Sequence, residues 1–399
     1  MARCRLIFVV LAAAGTAVLA GSAASAGSDV AARPSTPPVC SPALRSQRPL
    51  TKVGTAMVSV TGNPFGVAST ANGEWSFVST LSDGVAVIED RRGKSRVVQE
   101  IALPGETLLG EALTHDGRYL VVADGSGAAV LSVGRAERGA PHALLGRLSA
   151  SGPSSNFALQ SAIEVAISAD DRFIFVSLES ANEIAVFNLR RAVESGFHQS
   201  ALVGTIPLGL AAVGMAVSPD GNWLYATSEG ARRDTQHGTI SVIDIRRAET
   251  RPRYSVVASV AAGCDPVRVA VSPDGKVVWV TARESNSLLA FSASRLRTDS
   301  QQAPLARVRV GTAPVGLALL RDGARIVVAD SNRFAAPGQS AKLTVIDTRA
   351  ALAHKSAVIG AIPAGTFPRE LSVDMPQKRL LVTNFGSSQL EVVDMTHIP

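Results

Sequence analysis

One unit repeats along this chain, and it limits the possible folds more than any other feature. Its clearest copy lies in residues 213–244, where three short apolar runs are separated by turn-forming residues. The runs are Met215-Ala216-Val217, Trp223-Leu224-Tyr225-Ala226 and Ile240-Ser241-Val242-Ile243. Each has strand length, carries β-branched or aromatic residues, and is bounded by Gly, Asp, Ser or Pro. Between the first two, Ser218-Pro219-Asp220-Gly221 has the chemistry of a tight turn. Pro presets φ, Asp bonds nearby backbone, and Gly accepts positive φ. The turn recurs at Gly73, Gly117, Asp171, Gly221, Gly275 and Gly323, with a degenerate copy at Gln377. The steps between copies are 44, 54, 50, 54, 48 and 54 residues.

A third strand follows each hairpin in most copies, as in 85–90, 184–188, 343–347 and 390–394, and a fourth run precedes most next copies, as in 204–208 and 307–310. Four strands at this period read as a propeller blade, which must stack on its neighbours to bury both faces. The ends of the chain fit a closed ring. Residues 55–60 form a fourth-type strand with no partners before it, and the chain stops after the third strand of copy seven. The expectation is an all-β, seven-bladed β-propeller of four-stranded antiparallel blades, closed by an N-terminal strand that completes the last blade.

Residues 1–26 read as an export signal. Arg3 and Arg5 precede an apolar run from Leu6 to Leu19, and Ala24-Ser25-Ala26 gives a small-residue cleavage pattern. The run is shorter than the roughly 20 residues a spanning helix needs. The expected product is a secreted, extracytoplasmic protein without a membrane span, monomeric, with the propeller over 55–399. Removing the signal takes two arginines and no acid, leaving +4 of the formal +6. That mild excess gives no specific nucleic-acid signal.

Residues 27–54 form a Pro-, Ser- and Ala-rich tail expected to lie on the ring. Cys4 leaves with the signal, so Cys40 and Cys264 remain. They either pair, which would pin the tail to blade five, or stay separate thiols. Nothing near Cys264 in sequence resembles a base that would make it a nucleophile.

The strand order defines two faces. The top is where a fourth strand hands over to the next first strand. The Asp-Gly turns and the third-to-fourth links then lie at the bottom. Those links are basic, as in Arg190-Arg191, Arg246-Arg247, Arg295 and Arg297. They read first as a solvated charged face, with an anionic partner as the alternative.

The top face carries the candidate site. Aligned on their turns, the copies present Gly66, Gly110, Glu164, Gly214, Arg268, Gly316 and Glu370 at the channel mouth, with Glu111 and Arg369 alongside. Four glycines there would leave open space. The loops after strand two add Asp330, Asn384, Arg283 and, in a long insert in blade four, His237. Long loops over a rigid ring usually hold binding specificity. Glu164, Glu370 and Asn384 are oxygen ligands that could hold Ca²⁺, but Arg268 and Arg369 stand ready to satisfy the same carboxylates. No dedicated metal site or cofactor is expected. The other five histidines fall at the bottom or in the tail, and GxSxG, CxxCH, HExxH and glycine-rich phosphate loops are missing from the sequence.

The recurring pattern, plainest in 216–221, 240–244, 270–275 and Val382-Thr383-Asn384, resembles the YVTN-type β-propeller repeat family. That family is similar to the seven-bladed lactonase propellers and to the haem domain of nitrite reductase. The resemblance implies His, Glu and Arg around the channel mouth. Glu164, Arg268, Arg369 and Glu370 match the Glu and Arg, and no His matches. Two functions follow. One is a secreted binding protein that holds a protein, peptide or glycan on its top loops. The other is a lactonase-like hydrolase or isomerase, with Glu164, Arg268 and Glu370 as the catalytic candidates.

Overall fold

The repeated turn folds the same way in five blades, because one small hydroxyl residue and one Asp or Asn organise it. In blade four the Ser218 hydroxyl donates to Asp220 at 2.5 Å and accepts the Trp223 amide at 3.0 Å. The same carboxylate accepts the Asn222 amide at 3.1 Å, and Gly221 takes φ of 71°. Equivalent hydroxyl bonds run from Thr70 to Asn72, Thr114 to Asp116, Ser168 to Asp170 and Ser272 to Asp274, at 2.6 to 2.7 Å. The copies in blades six and seven lack the hydroxyl and place Asp322 and Lys378 at positive φ instead.

The structure, a computed structural model, describes residues 40–44, 46–82, 84–91, 93–103, 108–150, 161–231, 237–333 and 340–399. The proposed export signal and residues 27–39 of the tail lie outside these. So do 151–160, 334–339 and the insert positions Arg232, Arg233 and Asp234.

Seven four-stranded antiparallel sheets form the blades. Their first strands are Pro64–Ser69, Leu108–Leu113, Ala162–Ile167, Leu210–Val217, Pro266–Val271, Pro314–Leu320 and Pro368–Asp374. Thr55–Ser59 pairs antiparallel with Gln389–Asp394, so the first strand in the chain is the outer strand of the last blade. Blade contacts bury the alternating apolar residues of facing sheets. Phe77, Phe175, Phe187, Tyr225 and Trp279 are among the largest fully buried side chains. Short helices such as Leu189–Glu194 and Thr348–Leu352 occupy bottom links, capped by Asn188 and Asp347. No described helix is long and apolar enough to cross a membrane.

Cys40 and Cys264 form a disulfide, with their Cα atoms 5.6 Å apart. From there the tail crosses the outer wall of the ring. The Leu44 amide bonds the Val310 carbonyl at 2.8 Å, and the Leu50 amide bonds Ala361 at 2.8 Å. Leu50 and Val53 then join the apolar core of blades six and seven.

Candidate functional site at the channel mouth

A β-bulge in the first strand of every blade builds the mouth. In blade one, Phe65 and Gly66 together oppose Ser79, between the pairs Pro64↔Thr80 and Val67↔Val78. The same slip occurs in the other six blades, so Glu164, Arg268 and Glu370 all sit at bulges. A bulge breaks the pleat and re-aims a side chain.

A hydroxyl on strand two secures the bulge and joins the blades. Thr383 accepts the Glu370 amide at 3.0 Å and donates to the Phe65 carbonyl of blade one at 2.8 Å. Ser177, Thr227 and Thr281 make the same double contact, reaching Val213, Val267 and Val315 at 2.6 to 2.8 Å. Ser79 bonds the Gly66 amide and the Leu109 carbonyl. Blades two and six carry Ala123 and Ala329 at this position.

The glycines of the column have a different role from the one expected. A Cβ at Gly66, Gly110, Gly214 or Gly316 would meet the next blade's backbone carbonyl at 2.2 to 2.9 Å. They permit close blade packing and do not leave open space.

Glu164, Arg268, Arg369 and Glu370 come together as expected. The Arg268 side chain is only 5% exposed, and its Nε lies 2.9 Å from Glu164 and 2.5 Å from Glu370. Burial works against its charge, but the two carboxylates hold the guanidinium above its ordinary value. Burial pushes Glu164 up to about 8, and repulsion from Glu370 adds to that against the pull of Arg268.

Among the described residues, no carboxylate forms an ion pair with Arg369. Its guanidinium lies 3.6 Å from the centre of the Phe65 ring, with Phe367 and Phe385 at 5.5 and 5.7 Å. Its Nε is buried without a hydrogen-bond partner. Burial and then Arg268 bring it down to about 9. Cation–π contact is its main compensation.

Beside this group, Arg283 reaches Asp265 at 2.6 Å and Glu229 at 3.1 Å. Burial raises Glu229 to about 7, opposed by Arg283. Arg333 faces the Phe367 ring at 5.6 Å, and burial and then Arg283 lower it.

Other expected residues lie apart. Glu111 packs its Cγ toward Gly66, between blades one and two, and neither carboxylate oxygen has a hydrogen-bond partner. Burial lifts it to about 8, against weaker lowering from Ala68 and Ser79. Asp330 is buried in blade six and bonds Thr344. Burial raises it to about 7, against weaker lowering from Thr344, Gly311 and Gln47. Asn384 is fully buried in blade seven and donates to Glu391 at 2.9 Å. The oxygen set considered for Ca²⁺ is therefore divided, with two members on Arg268 and the third on Glu391. His237 lies at the neck of the blade-four insert, where its carbonyl accepts the Ala231 amide at 2.8 Å.

Sequence reasoning missed Asp265, Arg333 and the ring set Phe65, Phe367 and Phe385. One signal was available. The column before the mouth position reads Phe65, Leu109, Ile163, Val213, Val267, Val315 and Arg369, so Arg369 is the one charge among apolar residues.

The sequence profile described as "Lactonase, 7-bladed beta-propeller" matches residues 164–298. The chain is a seven-bladed propeller that is similar to the lactonase propellers over that segment. The match begins at Glu164 and includes Arg268, and it stops before Arg369 and Glu370. No curated protein sequence matches. Among solved structures, a chain of Kuenenia stuttgartiensis hydrazine synthase superposes with a TM-score of 0.64 at 17% identity, covering 84% of this chain and 96% of that one. At that identity the chain shares a fold with it, and no chemistry follows.

Proposed function

We propose that this protein is a binding propeller that docks a protein, peptide or glycan on its top face, around the channel mouth. The observation that carries this reading is the closed pairing of Arg268 with both Glu164 and Glu370. The carboxylates that would act as acid and base are engaged with each other's counterion, and no histidine is among the residues gathered with them. Arg369, held against three rings with no ion pair among the described residues, is the group left to meet an anionic feature of the partner. The reading invokes no cofactor and treats the binding unit as a monomer. The Cys40–Cys264 bond supports its action outside the cytoplasm, because disulfides persist in oxidising compartments.

One observation favours the second reading, a lactonase-like hydrolase or isomerase. Burial lifts Glu164 to about 8, toward the range where a general acid or base works, and Glu164 is the first residue of the matched lactonase segment. A thermal-shift screen with sugar lactones, acidic glycans and acidic peptides separates the two. The binding reading expects a shift with an acidic glycan or peptide that is lost in Arg369→Gln, and no lactone turnover. Lactone hydrolysis abolished by Glu164→Gln would overturn it in favour of the enzyme.

A further inference from the structure

Away from the channel, a cavity of about 570 Å³ opens on the outer wall between blades five and six. One side is the outer strand of blade five, Pro304–Arg309, and the other is the helix Thr348–Leu352 with the start of Val358–Pro363. The tail forms a third side, crossing between its bonds at Leu44 and Leu50. Its volume falls in the range of small-molecule sites.

The lining is one-sided in charge. Arg48, Arg307, Arg309, His354 and Lys355 border the cavity, and no Asp or Glu does among the described residues. No carboxylate pairs with Arg48, Arg309 or Lys355 among the described residues. Arg307 and Arg309 are alternate residues of one strand and so share a face. Burial and then the neighbouring Arg309 hold Arg307 below its ordinary value. Arg307 is also fixed in place, donating to Ser287 at 3.0 Å and to Ser41 of the tail at 2.6 Å.

The basic bottom links behave differently. There Arg190 pairs with Glu194 at 2.7 Å, Arg247 with Asp244 at 3.3 Å and Arg325 with Asp347 at 2.9 Å. The bottom face pairs part of its charge with acids, and Arg191, Arg295 and Arg297 there bond carbonyl or phenol oxygens; in the groove no described acid borders the gathered like charge. The tail makes this worse electrostatically, because it brings Arg48 to the rim. A bound anion would relieve the repulsion.

We infer that this groove is a binding site for a small multivalent anion bearing phosphate or sulfate groups, held by Arg48, Arg307, Arg309 and Lys355. Arginine forks fit such oxyanions in bidentate geometry, and a lysine adds a point charge. The site is independent of the channel mouth and of whatever binds there.

Calorimetric titration of the oxidised full chain with pyrophosphate, and separately with sucrose octasulfate, tests this. The two arms distinguish phosphate from sulfate as the preferred source. The expected result is saturable 1:1 binding with one of them, weakened by added salt. Arg48→Gln or Arg309→Gln should each weaken it about tenfold, the equivalent of one charge-assisted hydrogen bond. Arg246→Gln/Arg247→Gln on the bottom face of blade four should leave it unchanged. All these positions are exposed, and retained melting temperature confirms folding. Lack of saturable binding with either probe, or an equal loss in the bottom-face variant, would overturn the proposal.

Discussion

Thr383→Val tests how the ring is closed. The Thr383 hydroxyl sits at the seam between the last blade and the first, fully buried, and serves two backbone groups at once. It accepts the Glu370 amide, which fixes the bulge that carries one of the mouth carboxylates. It donates to the Phe65 carbonyl, which joins blade seven to blade one. Valine keeps the β-branched shape and nearly the volume, so the change isolates the loss of the hydroxyl. Both backbone groups then lose this partner in a buried site, at about 1–3 kcal/mol each when left unsatisfied. The expected cost is about 2–4 kcal/mol in urea unfolding with the disulfide intact, read as a lower midpoint at unchanged slope. Thr227→Val, the same contact between blades four and five, should cost a similar amount. A Thr383→Val loss within about 0.5 kcal/mol, the scale of neutral surface changes, would show that the hydroxyls do not carry blade contacts.

Glu111 gives a pH signature. Its folded value of about 8 lies above its ordinary 4.5, so the folded state binds more protons between those values. Stability should therefore fall as pH rises from 5 to 8, by about 1.4 kcal/mol per unit for this one group, and Glu111→Gln should remove that slope. An unchanged slope in pH-dependent urea unfolding would refute the assignment. Arg268→Met should leave Glu164 and Glu370 facing each other without a counterion and cost about 3–5 kcal/mol at pH 8. The loss should shrink at pH 5, where the carboxyls can take up protons, and a pH-independent loss would refute the pairing. Cys40→Ser should lower stability by about 2–5 kcal/mol, and calorimetry that finds no change from the oxidised protein would mean the tail is not held by that bond.

The architecture was legible in the chain because its signals are local and repeated. The Ser-Pro-Asp-Gly turn needs only a hydroxyl, a carboxylate and a glycine within four residues, and the blade period follows from repeating it. Even the closure by Thr55–Ser59 could be read, since a spare strand at one end matches a missing one at the other. The gathering of Glu164, Arg268 and Glu370 was legible for the same reason: equivalent positions of repeats converge on one axis. The partners of those side chains were not. Arg369 stacks on Phe65, some 300 residues away in sequence yet next to it across the ring seam. Asp330 and Asn384 begin top loops in sequence, but the pleat turns both into their own blades, toward Thr344 and Glu391. The pairing of Cys40 with Cys264 and the basic groove beneath the tail likewise depend on where a non-repeating segment crosses the ring. Local turn chemistry and hydrophobic alternation determine a repeated blade, because each copy states them in full. Which charge meets which counterion is a property of distances between blades, and only the closed ring sets those distances.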